Sequence, residues 1–444
     1  MMWRKSRKYL VRRDRGVAAL TVVMILFFVM ALVAAYTNRN LIFEQRISAN
    51  SYRSARALDA SEAAIDWTLS MLNGGRIGSN CASSNNTVND KDFRGNYLKF
   101  ADIGDTENEG RYEMVWTGDT SKRMFPACIS KDGVLNCICP ILTSRTPTMV
   151  TPADGVGTAF NVLLRTPTNA LQPGTLNIDA LGCASIGTGA GACYNQTSQF
   201  EVVSDAKSGV RAGIGLIQAL PKAPVATLTV GGNATAASWN ATTPGSGSNV
   251  RLDVISGGLI NPSLTYSASD PSLPGLVAAN NWFRFRFGIA SEIFKNQPAV
   301  ITIDCAAGCN STNLVDIRAR FPRNPIWIEG DLTISSADQL GSMPNLPVPP
   351  ALPDPEDLNP IMLLVNGTLT VAANVPIVGF IHANKIVWSA AGASLVGAMM
   401  TPGDFTATTS VTMSYNAKVL DVIRLYYGSF VRVPGSWKQL NTIS

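Results

Sequence analysis

The sequence predicts an α+β chain: one long N-terminal helix, a β-rich body, and a C-terminal part built like a β-solenoid. Three observations carry this. An uncharged run from Val17 to Asn38 follows a basic leader, and helical patterning continues without proline or glycine to Leu72. Beyond residue 75, β-branched runs alternate with Gly, Asn and Asp turns. Four short patterns then repeat between residues 326 and 407.

The chain has 444 residues, 46% of them hydrophobic and 15% charged, with a mean hydropathy of +0.13. This composition buries a core and excludes intrinsic disorder. The net charge of +5 is local. Arg4, Lys5, Arg7, Lys8, Arg12, Arg13 and Arg15 face only Asp14 in the first sixteen residues, and the remainder carries −1. The basicity therefore reads as a membrane-topology signal and not as a nucleic-acid footprint. A single histidine, His382, excludes His-cluster metal sites and leaves the commonest acid–base group nearly absent, without excluding an enzyme.

The apolar run of about 22 residues spans ~33 Å as a helix, enough for a bilayer core. A cleaved secretory signal has a shorter apolar region of about 7–15 residues. Leu58, Ile65, Leu69 and Leu72 fall on one stripe, and Asn73, Gly74 and Gly75 stop the helix. The spacing predicts a helix over 17–73, with an apolar first half and an amphipathic second half.

A basic leader ending in Gly16, an apolar helix beginning at Val17 and a continuous amphipathic extension resemble a type IV prepilin. The stretch EQRISANSYRSARALDASEAAIDW (Glu44 to Trp67) is similar to the helix of PilX-like minor pilins. The resemblance implies cleavage after Gly16 by a prepilin peptidase, methylation of Val17, and a helix that enters a bundle of sister helices. Thr21 stands where major pilins carry glutamate, a departure shared with minor pilins and with K-type pseudopilins of type II secretion. Glu44, Arg46, Asn50 and Glu62 are the matching positions on this assembly helix. The implied partners are other minor pilins, the major pilin, the prepilin peptidase and the inner membrane, with a tip adhesin as a further candidate. The implied location is a single inner-membrane pass, N-terminus cytoplasmic and body periplasmic, then the fibre at the cell surface.

The body divides into a β-rich, pilin-like head over 75–220, a β-rich intermediate region over 226–325, and the solenoid-like part over 326–444. Leu220 to Val225 reads as a linker, after leader 1–16 and helix segment 17–74. In the head, Arg111 to Trp116, Asn161 to Arg165, Glu201 to Ser204 and Val210 to Leu216 read as strands. Gln199 to Leu220 reads as a hairpin turning at Asp205 to Gly209. Trp282 to Phe287 alternates aromatic and arginine residues, as an amphipathic strand would. The repeats IWIEGDLTI, LLVNGTLTV, FIHANKIVW and AMMTPGDFTA align on Gly330, Gly367, Asn384 and Gly403. These glycines and asparagine mark turns needing positive φ. Residues 343–360 form a Pro-rich insertion, and 411–437 would close the open end of the stack. A sandwich of ordinary hairpins is the alternative.

Eight cysteines contain no CxxC pair, which excludes zinc ribbons and thioredoxin-like sites. In an extracytoplasmic body they read as disulfides, with Cys183–Cys193 and Cys305–Cys309 as local candidates. The pairing among Cys81, Cys128, Cys137 and Cys139 stays open. Asp102, Asp105, Glu107 and Glu109 are a weak Ca²⁺ candidate without EF-hand spacing, and a solvated loop is the blander reading. Asp316, Arg318 and Arg320 carry the polysaccharide-cleaving alternative, although alternation on one strand explains their spacing. His382 reads as structural. No catalytic residue, metal motif or cofactor is assigned. The leading expectation is a non-enzymatic minor pilin acting in assembly initiation or at the fibre tip. The alternatives are a K-type pseudopilin and a membrane-anchored periplasmic carbohydrate-binding or polysaccharide-cleaving solenoid.

Overall fold

The computed structural model describes residues 15–100, 112–114, 126–140, 157–165, 175–184, 206–242, 252–342 and 359–440. Helix α1 (Arg15–Asn73) is continuous over 59 residues, about 88 Å. Its last turn is where the body begins.

The head is an antiparallel sheet laid against the end of α1. Its strands are β1 (Ala127–Lys131), β2 (Val134–Ile138), β3 (Thr158–Arg165), β4 (Thr175–Ala184) and β5 (Ala206–Gln218). They lie in the order β5-β4-β3-β1-β2. Leu176, Ile178 and Ala180 of β4 and Val210, Ala212 and Ile214 of β5 alternate inward, as one buried sheet face requires. On the opposite face, Asp179 is fully buried, accepts hydrogen bonds from Arg211 at 2.5 Å and forms an ion pair with Arg165 at 3.1 Å. The expected turn at Asp205 to Gly209 is corrected. Residues 206–209 lie inside β5 and pair with 181–184 of β4, because Val210 and Ala212 bury a face that a turn there would break.

A second sheet holds thirteen strands among the described residues. Every pairing in it is parallel, which excludes the hairpin sandwich. Its principal strands are β6 (Ala226–Val230), β7 (Leu252–Ser256), β8 (Ser267–Ser269), β9 (Ile301–Asn310), β10 (Ile326–Ile334), β11 (Ile361–Val371), β12 (Pro376–Trp388) and β13 (Ser394–Thr401). Their spatial order is β9-β10-β11-β12-β13-β6-β7-β8. Ile326, Leu363, Ile381, Met399, Leu228 and Val254 stack in register and share one core. The chain therefore enters this stack in its middle at β6 and runs out to β8. It returns at the far end as β9 and winds back until β13 docks beside β6.

Strands β11 to β13 are buried on both faces, so they read as unbroken apolar runs such as IMLLV. One face lines the stack interior. Over the other lie α3 (Leu273–Ala278), α4 (Trp282–Phe287) and α5 (Ser291–Lys295). The strand expected at 282–287 is thus corrected to a helix. Phe283 and Phe287, four apart, bury together against Trp327, Phe380 and His382, while Phe285 is left 61% exposed. A strand would bury all three alternating phenylalanines. Gly288, at φ 75°, ends the helix.

Positive φ is required at Gly330 (120°). At Gly367 and Gly403 the constraint is different: a Cβ would stand 2.4 Å from the Gly330 carbonyl and 2.6 Å from that of Asn384. These corners stack too closely for side chains. Beside them Asn384 donates to Asn366, and Asn366 donates to Glu329, forming a polar ladder across rungs.

The C-terminal boundary differs from expectation. Segment 411–437 does not close the stack. Helix α7 (Ala417–Tyr426) packs beside β12 and β13, and β14 (Gly428–Arg432) and β15 (Lys438–Leu440) pair with β5 of the head. The buried side chains of α7, Leu420 and Ile423 among them, have their partners beside the stack, not beyond its end. At the β9 end, α6 (Thr312–Arg320) places Leu314 in the stack core. Disulfides join Cys81–Cys139, Cys128–Cys137 across β1 and β2, and Cys305–Cys309 within β9. Cys183 is also disulfide-bonded. Cys193, Glu201 to Ser204, the acidic set Asp102 to Glu109 and most of the Pro-rich insertion lie outside the described residues.

Candidate functional site: the uncovered half of the long helix

Residues 18–56 of α1 are exposed along their whole length. Among them Phe27 is 73% and Met24 67% exposed, with no protein covering an uncharged surface. From Ala57 one face is buried: Ala57, Ala60, Ser61, Ala64, Ile65, Thr68 and Leu72. The small residues let the helix approach β4 closely, and Trp67 completes the contact edge-on to Phe93. The Thr68 hydroxyl donates back to the Ala64 carbonyl at 2.6 Å, so its polar atom is satisfied inside the helix.

The expected assembly residues all fall on this helix, but do not converge. Gly16 and Val17 lie in its first turn. The Thr21 hydroxyl donates to the Ala18 carbonyl at 2.9 Å, a bond internal to the helix. Glu44 lies on a face with Ile47, Ser48, Ser51 and Tyr52. Arg46 lies on another with Tyr36, Arg39 and Phe43. Asn50 is exposed, and Glu62 points away from the head on the packed half. The free half carries Arg39, Arg46, Arg53 and Arg56 against Glu44, so its charged part is basic.

A hub at the helix end was not anticipated. Arg94, on the short helix α2 (Phe93–Tyr97), is buried. It donates to the carbonyls of Leu72 at 2.5 Å, Tyr426 at 3.1 Å and Gly428 at 2.7 Å. Asn324 donates to the Asn73 carbonyl at 2.9 Å. The bonds to Leu72, Asn73 and Tyr426 satisfy carbonyls that a helix end leaves orphaned. An arginine and two asparagines scattered over 250 residues give no sequence signal of such a hub.

The carbohydrate-cleaving set is dispersed. Asp316 and Arg320 are exposed on α6, which is a helix where a strand was expected, and Arg318 is buried, donating to the carbonyls of Pro322 and Asn359. Burial without a charged partner pushes the pKa of His382 down to about 4, so its ring stays neutral against Phe283. Glu329 is held below the usual carboxylate range, first by a hydrogen bond from the Trp327 indole. Among the described residues no group of three His, Cys, Asp or Glu is placed to hold a metal.

One helix that is apolar outside the body and packed within it, joined to a β-rich body, defines a pilin-like α+β protein, and its apolar run fits a pilin-type membrane anchor. Residues 15–66 match the family described as PilX N-terminal, so this end of the chain is PilX-like. No curated protein matches the sequence. The crystal structure of the competence-associated pilin ComZ from Thermus thermophilus aligns over 87% of this chain and 98% of its own, at 8% identity and a TM-score of 0.21, a likeness too slight to carry an argument.

Proposed function

We propose that this chain is a non-enzymatic minor pilin of a type IV pilus, acting in assembly initiation or at the fibre tip. The observation that carries the reading is the uncovered helix over 18–56, which ends where the body begins. Its uncharged part, residues 18–38, leaves lipid only for another apolar environment, and a bundle of like helices supplies one. Cleavage between Gly16 and Val17 frees the helix from its charged leader. The inner membrane, the prepilin peptidase, the other minor pilins and the major pilin are the partners. A body of roughly 370 residues crowds a close-packed shaft but fits at an end.

We read the parallel stack as a β-solenoid inserted between β5 and β14 of the head. Two strands that pair edge to edge, 206–218 and 428–432, flank the whole insertion. It is the module available for outward contacts. A K-type pseudopilin is disfavoured by the described body, which is β-rich where those proteins insert a largely helical domain.

The test is mass spectrometry of the N-terminus in envelope and sheared-filament fractions. The expected result is a chain beginning at Val17 and present in filaments. An intact leader everywhere, with no chain in filaments, overturns the reading.

A further inference from the structure

Helix α1 meets its first charge beyond the uncharged run Val17 to Asn38 at Arg39. That run spans about 33 Å and fills a hydrocarbon core of about 30 Å, so the turn that follows lies in the headgroup layer, about 5–7 Å deep on each side. The composition of that turn suits the layer. Leu41, Ile42 and Phe43 follow Arg39, and all three are exposed, Phe43 by 64%. Apolar residues beyond a charge are poorly placed in water but suit the boundary between acyl chains and headgroups. Tyr36, 68% exposed and one turn below Arg39, suits it as well.

Two guanidiniums share this level. Arg39 and Arg46 line one cleft on the helix surface with Tyr36, Asn40, Ile42 and Phe43. Seven residues apart, they are separated by about 10 Å along the helix and about 20° around it. Side chains of a helix lean toward its N-terminus, so Arg46 reaches down toward Arg39 and the headgroups. Among the described residues neither pairs with a carboxylate of this chain, whereas Arg56 donates to the Tyr52 hydroxyl at 2.9 Å. Glu44, which would attract the ammonium of a zwitterionic headgroup, lines a different cleft with Ile47 and Tyr52. Guanidinium forks match phosphate oxygens, and an anionic headgroup complements a face with two positive charges and no negative one. We propose that Arg39 and Arg46 bind the phosphate of an anionic phospholipid, in the leaflet on the side of the body, with Tyr36 and Phe43 seated at the top of the acyl chains. Five helical turns further along the same face, Ala57, Ser61 and Ala64 are buried against the head. The head therefore overhangs the bound lipid, about 27 Å above Arg39. The inference rests on the membrane-anchored state within the proposed function and involves no filament, so its failure leaves the minor-pilin reading standing.

The experiment titrates the full chain in detergent with phosphatidylglycerol or phosphatidylcholine and reads bound lipid by native mass spectrometry. The basic leader is common to every variant, so differences between variants isolate the helix. Arg39→Gln and Arg46→Gln each lower the affinity for phosphatidylglycerol by about fivefold and leave phosphatidylcholine binding as it is. Arg46→Lys, which keeps the charge, retains most of the affinity. Arg56→Gln removes an equal charge about 15 Å above Arg46 and changes little. All three arginines are exposed, so none of these variants disturbs packing. Wild-type phosphatidylglycerol affinity in the double variant Arg39→Gln, Arg46→Gln overturns the proposal. An equal loss in Arg56→Gln also overturns it, by reducing the effect to net charge. Unchanged lipid affinity with loss of the double variant from filaments overturns it too, and assigns the two arginines to a protein partner.

Discussion

Asn73, the last residue of α1, pairs its side-chain amide with the backbone of Phe430, and its Oδ1 also accepts from Arg94 at 3.3 Å. Its Nδ2 donates to the Phe430 carbonyl at 2.9 Å, and its Oδ1 accepts the Phe430 N–H at 2.8 Å. One amide thus imitates a strand partner for β14, across 357 residues of sequence. The end of the assembly helix and the return of the chain from the stack are locked by the same residue. Asn73→Asp keeps the size but replaces the donor with an acceptor facing a carbonyl. The Phe430 carbonyl then loses its donor, while the Phe430 N–H and Arg94 keep their acceptor, at a cost of about 1–3 kcal/mol. A lower midpoint in chemical denaturation checks this, and Asn73→Asp as stable as the wild type would show that the exchange contributes nothing.

Gly182 sets how closely the helix approaches the head. A Cβ there would lie 2.2 Å from the Ala57 carbonyl oxygen and 2.4 Å from the Ser61 nitrogen, both backbone atoms of α1. The backbone of a helix cannot yield as a side chain can. Gly182→Val therefore forces α1 off β4, at about 3 kcal/mol or more. Limited proteolysis near residues 57–68 reads the change, since the small-residue face of α1 becomes accessible only if the helix lifts.

How far the sequence discloses this architecture depends on which contacts are local. The long helix is legible because its apolar run and its stripe at Leu58, Ile65, Leu69 and Leu72 are properties of one segment. The repeats are legible because Leu363, Ile381 and Met399, eighteen residues apart in turn, stack in register. The helix at 282–287 is not, since six residues satisfy either period and burial of Phe283 with Phe287 decides between them. Strand β4 is missed because Gly182, Cys183 and Ala184 carry weak β-propensity, and only pairing on both sides makes it a strand. The return of 428–440 to the head is not local at all. Nothing in that segment names β5 as its partner.

His382 makes the body sensitive to mild acid. Its pKa falls from 6.5 to about 4 on folding, because burial disfavours the charged ring and its Nε2 has no hydrogen-bond partner. Between those values the unfolded chain binds a proton that the folded chain does not. Stability contributed by the neutral ring is complete above pH 6.5 and declines as pH falls toward 4. The loss is about 2 kcal/mol at pH 5 and about 3 kcal/mol at pH 4. His382→Phe removes this proton linkage and suits neighbours that are already aromatic. The difference in unfolding free energy between variant and wild type should grow on the variant's side from pH 7 to pH 5. A constant difference across that range would sink the assignment.

The disulfides make unequal contributions, and the inequality follows from chain length. Cys81 and Cys139 are 58 residues apart, joining the segment just beyond α1 to the end of β2, whereas Cys305 and Cys309 are 4 apart. Closing the longer loop restricts the unfolded chain far more, at about 4 kcal/mol against about 2 kcal/mol for the shorter. The short loop has a different consequence. It sits where the pairing of β9 with β10 shifts register, at an end of the parallel stack. A bulge there leaves the outer edge irregular, which discourages another strand from adding to it. Replacing Cys81 and Cys139 by serine should therefore lower the denaturation midpoint by the larger amount. Replacing Cys305 and Cys309 should cost less stability but increase concentration-dependent association, read by light scattering. If the second pair lowers the midpoint more and leaves association unchanged, the bulge protects stability and not the edge.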